Sequence, residues 1–217
     1  PVKSKERPMN ILQINSSIYG DGGFSSQLAQ RFVTQLERER GARVMVRDLS
    51  RDPIPHLDAA RFGAFLAKPD DRTPAQQAVV DFSDRLIDEV RWADVIVLGV
   101  PMYNYGIPTQ LKSWFDHIAR AGVTFRYAES GPVGLLTGKR AFVLSTRGGF
   151  YAGTPRDAET PHVREFLALI GITDVEFIYA EGLSVGDGPR QAAIDDAHAA
   201  ITKAAAQLPA SAAATAA

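Results

Sequence analysis

Three loops of this sequence carry residues that could bind a phosphate and a flat ring. The first, residues 16–25, is rich in serine and glycine, and its hydroxyl candidates are Ser17 and Ser25. An amphipathic segment follows, with Ser25 or Ser26 as the predicted N-cap. A helix N-terminus presents free N–H groups and the positive end of its dipole, so hydroxyls placed there favour a phosphate. Ordinary caps and turn residues are the alternative interpretation.

This loop lacks two common nucleotide-binding motifs. It has no Walker A lysine, which argues against ATP or GTP, and no G-x-G-x-x-G, which argues against a Rossmann-type NAD site. The remaining candidate ligand is a mononucleotide whose phosphate is held by hydroxyls and backbone amides alone.

The second loop follows the most apolar segment of the chain. Residues 94–100 are almost continuously apolar, and the loop that follows contains Met102, Tyr103, Asn104 and Tyr105. Such a loop can present backbone amides and aromatic faces to a flat ligand. A surface loop whose tyrosines cover the sheet edge is the alternative.

The third loop pairs glycines with a cation. Thr146 and Arg147 precede Gly148 and Gly149, and adjacent glycines let the backbone approach a ligand and expose its N–H groups. An ordinary turn is the alternative. The four histidines lack i, i+4 pairing and a carboxylate partner set, so no metal site is predicted.

Hydrophobic periodicity predicts the elements that would position these loops. Strands are predicted at 9–15, 42–48, 94–100, 139–146 and 174–180, and helices at 26–40, 74–92, 109–121, 160–170 and 189–208, with a helical fragment near 57–66. This alternation predicts an α/β fold, a flavodoxin-like doubly wound five-stranded parallel sheet of strand order 2-1-3-4-5 with helices on both faces. The three loops then meet at one carboxyl edge.

Composition bounds the organisation and the partners. The 217 residues suit one domain, predicted at 9–208, with an N-terminal extension at 1–8 and a disordered alanine-rich tail at 209–217. A net charge of -1 without a basic stripe argues against nucleic acid. The chain has no cysteine and no segment approaching the roughly 18 apolar residues of a membrane span, which predicts a soluble, cytoplasmic protein.

Longer motifs give the chain a family resemblance. The most specific is Pro101-Met-Tyr-Asn-Tyr105, continuing through residues 109–112, 115–116, 119–127 and 131–132; Arg147-Gly-Gly149 is a second, and Gly171-Ile-Thr-Asp174 with Ala180-Glu-Gly182 a third. From about residue 9 to about residue 208 the chain resembles the FMN-dependent, NADH-using azoreductases, a branch of the flavodoxin-like quinone reductases.

The resemblance implies a set of FMN-binding residues and no catalytic side chain, because the flavin carries the chemistry. These residues are Ser17, Gly23, Phe24, Ser25, Pro101, Met102, Tyr103, Asn104, Tyr105, Thr146, Arg147, Gly148 and Gly149. Asn104 and Tyr151 are expected as contacts to the substrate or flavin. The chain departs from the pattern at Gly23, where relatives carry a serine, at Tyr151, where some have histidine, and at Gly106 and Pro108.

The resemblance also implies an activity. NADH or NADPH would reduce bound FMN, which would then pass two electrons to a quinone or azo compound in the same slot, giving ping-pong kinetics. It implies a homodimer, with residues 109–121 and 49–73 as interface candidates. The alternative is a flavodoxin-like electron carrier or regulatory module that uses the same fold without turning over a small substrate.

Overall fold

Five parallel strands form one sheet in the computed structural model, which describes residues 7–209. The strands described are β1 (Asn10–Asn15), β2 (Arg43–Asp48), β3 (Val95–Pro101), β4 (Phe125–Ala128), β5 (Gly131–Gly134), β6 (Arg140–Thr146) and β7 (Asp174–Ala180). The sheet order is β2-β1-β3-β6-β7, every neighbouring pair being parallel. With the β4–β5 hairpin set aside, this is the predicted order 2-1-3-4-5.

Helices cover both faces of the sheet. They are α1 (Phe24–Arg40), α2 (Ala59–Leu66), α3 (Pro74–Trp92), α4 (Thr109–Ile118), α5 (Glu159–Ile170) and α6 (Asp187–Gln207). Side chains alternate between faces along a strand, so Ile11 and Val97 pack with α1 and α6, whereas Leu12 and Ile96 pack with α3, α4 and α5. Within residues 7–209, none of the helices is both long enough and apolar enough to cross a membrane.

Gly99 sets the position of α1 against the sheet. Every residue of β3 is buried, as its continuous apolar sequence predicts. A Cβ on Gly99 would lie 2.9 Å from the Ser25 carbonyl oxygen, so only glycine permits this approach. The first turn of α1 therefore sits at the carboxyl ends of β1 and β3.

One local prediction is wrong, and one element was not predicted. The N-cap of α1 is Gly23, in an extended conformation and without a side-chain cap, so Ser25 and Ser26 lie inside the first turn. The antiparallel hairpin β4–β5 is the additional element, and its strands, of four residues each, are too short to give a periodic signal. Within it, Gly134 lies directly against the backbone of Gly171 at the end of α5.

The apolar stripe on α4 proves to be core. Leu111, Trp114, Phe115 and Ile118 are all fully buried beneath the sheet, which removes this stripe as an interface candidate. The helical fragment of the long connection is confirmed as α2, where the Asp58 carboxylate accepts a hydrogen bond from the Arg61 N–H. Residues 1–6 of the predicted extension and 210–217 of the predicted tail lie outside the described residues.

Candidate ligand-binding site

A cleft of about 570 Å³ lies at the carboxyl edge of the sheet, where β1, β3 and β6 end. It brings together most of the predicted site residues: Ser17, Gly23, Phe24, Pro101, Met102, Tyr103, Thr146, Arg147 and Gly148. Ser25, Asn104, Tyr105 and Gly149 are close in sequence to its walls but do not line it. The volume is in the range of small-molecule sites.

One end of the cleft is the N-terminus of α1. The helical hydrogen bonds begin at the Gln27 N–H, which donates to the Gly23 carbonyl at 3.0 Å, so the preceding N–H groups have no partner within the helix. Ser17 lies against this turn: a Cβ on Gly23 would be 2.1 Å from its Oγ. The glycine therefore leaves room for the Ser17 hydroxyl in the position it occupies.

Ser25 contributes to this end through its backbone. Its side chain is fully buried, and its Oγ has no hydrogen-bond partner among residues 7–209. Because its carbonyl abuts Gly99, the residue lies beneath the cleft wall. The predicted contact of the Ser25 hydroxyl with a phosphate stays a prediction, and the Ser25 N–H is a second donor at this helix start.

Tyr103 links the helix end to the second loop. Its Oη lies 3.4 Å from the Ser17 Oγ and accepts a hydrogen bond from the Ile18 N–H at 3.3 Å. The first and second predicted loops therefore form one continuous wall.

The second loop is a tight turn with unusual backbone angles. Tyr103 and Gly106 exchange both backbone hydrogen bonds at 3.0 Å, and the two residues between them, Asn104 and Tyr105, have φ of 51° and 68°. A two-residue connection with positive φ at both positions has the form of a type I′ turn, which asparagine tolerates and tyrosine rarely adopts. The turn projects Asn104 and Tyr105 outward at the mouth.

Aromatic rings lie on the second and third loops. Tyr105 and Tyr151 meet edge to face with ring centroids 5.4 Å apart. Phe150 is exposed and covers Gly182, where a Cβ would lie 2.5 Å from the ring. The exposed rings of Tyr105 and Phe150 offer flat, apolar surface to a planar molecule.

Arg147 does not offer its charge to the cleft surface. Its side chain is 0% exposed, and Nη2 lies 3.0 Å from Asp157 and 3.3 Å from Glu159, while Nη1 lies 3.4 Å from Glu181. Nε donates to the Ser145 hydroxyl at 3.0 Å. The guanidinium therefore holds three carboxylates together beneath the third loop.

Two of these carboxylates have distinct roles. Glu181 accepts hydrogen bonds from the backbone N–H groups of Tyr151 and Ala152 at 2.7 and 2.8 Å, which fixes the third loop from below. Glu159 accepts from the Ser145 hydroxyl at 2.5 Å, and burial raises the pKa of its carboxyl to about 7 against the lowering effects of Ser145 and Arg147.

One wall of the cleft, the loop that follows β7, was not among the predicted site loops. Leu183, Ser184 and Arg190 line the cleft, as do Tyr19 and Gly22 in the first loop. The Ser184 N–H donates to the Gly148 carbonyl at 3.0 Å, which joins the loop after β7 to the third loop. Because ligands bind at the carboxyl ends of parallel strands, the fifth predicted strand was a signal for this loop.

A larger groove, of about 1020 Å³, runs along α1. Its walls include Asp21, Arg31, Arg38 and Glu39, which give it charges of both signs, and none of its described lining residues is aromatic. The cleft at the sheet edge is therefore the better candidate site, although it is the smaller.

Comparison with known proteins agrees with this geometry. A protein family described as "Flavodoxin-like fold" matches residues 9–205. The "FMN-dependent NADH:quinone oxidoreductase" of Alcanivorax borkumensis is 57% identical over 86% of this chain and 94% of its own length. The "FMN-dependent NADH:quinone oxidoreductase 6" of Burkholderia lata is 53% identical over 89% of this chain and 98% of its own length.

Solved structures share the fold. The azoreductase from Bacillus anthracis str. Sterne has a TM-score of 0.84 at 24% identity, covering 92% of this chain and all of that one. An FMN-dependent NADH-azoreductase from Bacillus anthracis str. Ames Ancestor, solved in complex with FMN, has a TM-score of 0.80 at 24% identity over 91% of this chain and 99% of its own. With its sheet order, its cleft and these relatives, the chain belongs to the flavodoxin-like family of FMN-dependent NADH:quinone oxidoreductases.

Proposed function

We infer that this chain is an FMN-dependent NADH:quinone oxidoreductase that holds FMN in the cleft at the sheet edge. The observation that carries this is a single cleft with unpaired helix N–H groups at one end and a tyrosine-rich turn at the other. Relatives with 57% and 53% identity bear that name and match nearly their whole length.

The α1 end fits a phosphate. The N–H groups of Phe24 and Ser25 and the hydroxyl of Ser17 are donors around a helix N-terminus, where an anion is stabilised by the helix dipole. Gly23 keeps this cradle open, since a Cβ there would meet Ser17.

The second and third loops fit a flavin ring. Pro101, Met102 and Tyr103 form one wall, and the backbone of Thr146, Arg147 and Gly148 forms the other. When bound, FMN supplies two-electron transfer between a nicotinamide donor and the acceptor. The chain's part is to hold the ring, and Asn104 and the amides of Gly148 and Gly149 are our proposed donors to it.

Quinones and azo compounds are the proposed acceptors, and NADH the proposed donor. Both acceptor classes are flat, and the contacting rings of Tyr105 and Tyr151 present aromatic surface to them. The named relatives favour this reading over an electron carrier, as does a net charge of -1, since a carrier is expected to be acidic.

The visible spectrum of the purified protein tests this function. We expect a yellow protein that bleaches when NADH is added anaerobically and recolours when a quinone follows. Repeating the reduction with NADPH measures the donor preference. A colourless protein that takes up no added FMN would refute the proposal.

We also propose a homodimer that uses α2. Phe62 and Leu66 project from this helix and are 51% and 69% exposed, an apolar pair within the predicted 49–73 interface candidate. Sedimentation equilibrium should give twice the chain mass for the wild type and for Ala78→Asp, an exposed change on α3, but a monomer for Leu66→Asp. A dimer that survives Leu66→Asp contradicts the role of α2.

A further inference from the structure

Arg190 lies beside the helix end of the cleft. It lines the cleft together with Ser17, Gly23 and Phe24. It also lines an adjoining groove of about 230 Å³ between α1 and α6, again together with Phe24. Two separate cavities that share Phe24 and Arg190 place this arginine next to the first turn of α1, the end that suits a phosphate.

The charge of the cleft walls depends on Arg190. Among the described residues that line the cleft, the cations are Arg147 and Arg190, and there is no carboxylate. Arg147 is enclosed by Asp157, Glu159 and Glu181. Arg190 is therefore the cation of this wall that an incoming anion can reach, because its side chain is 42% exposed.

Its contacts hold the guanidinium without using all of it. Nε donates to the Leu183 carbonyl at 2.8 Å, which fixes the side chain to the loop after β7. Nη1 lies 3.1 Å from the Asp187 carboxylate, whose side chain is 98% exposed. An ion pair with so exposed a partner is weak, and exchanging it for a ligand phosphate costs little. A fixed guanidinium with donors to spare suits a phosphate oxygen.

We propose that Arg190 pairs with the phosphate of bound FMN and makes the site select phosphorylated flavin over riboflavin. This rests on the proposed function, in which the phosphate occupies the α1 end. The arginine adds a full positive charge to an end that otherwise offers neutral hydroxyl and amide donors, and a phosphate dianion gains most from it.

Paired titrations of apoprotein with FMN and riboflavin, followed by flavin fluorescence, test the proposal. Hydrogen bonds to a charged group predict that Arg190→Gln weakens FMN binding roughly 10- to 100-fold. Riboflavin affinity should stay within about threefold, because it lacks the phosphate. Arg190→Lys should recover part of the FMN affinity, and Arg85→Gln, an exposed charge change on α3, should alter neither ligand.

Each other outcome is decisive. Equal weakening of both flavins by Arg190→Gln means that Arg190 only supports the loop at Leu183, and unchanged FMN affinity overturns the pairing directly. Either result leaves the proposed function intact, provided that the wild type binds FMN. A wild type that binds neither flavin refutes the proposed function itself. Thermal unfolding of each apoprotein separates misfolding from lost binding, and Arg190→Lys serves if the glutamine variant does not fold.

Discussion

Replacing Glu159 by glutamine should change how the stability of this protein depends on pH. Glu159 is fully buried under the third loop, 3.3 Å from Arg147, and burial raises the pKa of its carboxyl from 4.5 to about 7. Glutamine has the same shape and keeps an oxygen that can accept from the Ser145 hydroxyl. It resembles the protonated acid and does not titrate.

The sign of the effect follows from proton linkage. Between the unfolded pKa of 4.5 and the folded pKa of about 7, the folded protein binds more protons at Glu159 than the unfolded chain does. Stability therefore falls as the pH rises through this window. A shift of this size corresponds to about 3 kcal/mol, fully lost above the folded pKa. The variant avoids this loss, so its stability relative to the wild type should rise by up to about 3 kcal/mol between pH 4.5 and pH 8.

Urea unfolding of both proteins across this pH range measures the difference. Taking the difference between variant and wild type cancels other titrating groups that the substitution does not touch. Glu165→Gln is the matched control, since Glu165 lies on the same helix but is exposed. Its difference from the wild type should stay constant within about 0.5 kcal/mol.

The opposite slope would refute the reasoning. If Glu159→Gln becomes less stable relative to the wild type as pH rises, the ionised carboxylate is favoured in the folded state. The ion pair with Arg147 would then outweigh the cost of burial. A flat difference would mean that the folded and unfolded pKa values of Glu159 are equal.

Three further substitutions test the site geometry. Gly99→Ala should destabilise the protein by roughly 1–3 kcal/mol in urea unfolding, because its Cβ would lie 2.9 Å from the Ser25 carbonyl oxygen; unchanged stability contradicts this contact. Gly23→Ser should weaken FMN binding about tenfold in a fluorescence titration by displacing the Ser17 side chain; unaltered or tighter binding would mean that the added hydroxyl finds room. Glu181→Ala leaves two N–H groups of the third loop without their acceptor, so it should lower the stability by about 2 kcal/mol and raise the KM for a quinone. Unchanged values would show that the loop keeps its conformation without Glu181.

The sheet could be predicted from the sequence because each of its strands has a recognisable local pattern of apolar residues. β3 is buried along its whole length, and a continuous apolar segment has few other structures open to it. Right-handed crossovers then leave few ways to order five parallel strands, and the loops after β1, β3 and β6 necessarily reach one edge. This is why nine of the thirteen predicted cofactor residues line one cleft.

The roles of the two arginines of the cleft could not be predicted from the sequence, because they depend on which side chains the fold brings next to them. Arg147 looked like a cation for a ligand, yet its partners Asp157 and Glu159 lie 10 and 12 residues away and reach it only through the start of α5. Arg190 had no motif around it, and its place beside Phe24 follows from the packing of α6 on α1. Which arginine can meet a charged ligand in this cleft is therefore decided by tertiary packing and not by local sequence.

Glycine in these loops serves close contact as much as flexibility. A Cβ on Gly23 would meet Ser17, one on Gly148 would meet the Ser184 hydroxyl at 2.9 Å, and one on Gly149 would meet the Tyr151 hydroxyl at 2.9 Å. The Gly148 contact joins the third loop to the loop after β7, whereas the other two contacts lie within the first and third loops. A methyl group at any of the three would push the neighbouring side chain away. A binding site must hold its backbone N–H donors to within about half an ångström of the ligand geometry, and glycine allows the close approach that this requires. The glycine positions are therefore as much a part of the proposed flavin site as the tyrosines.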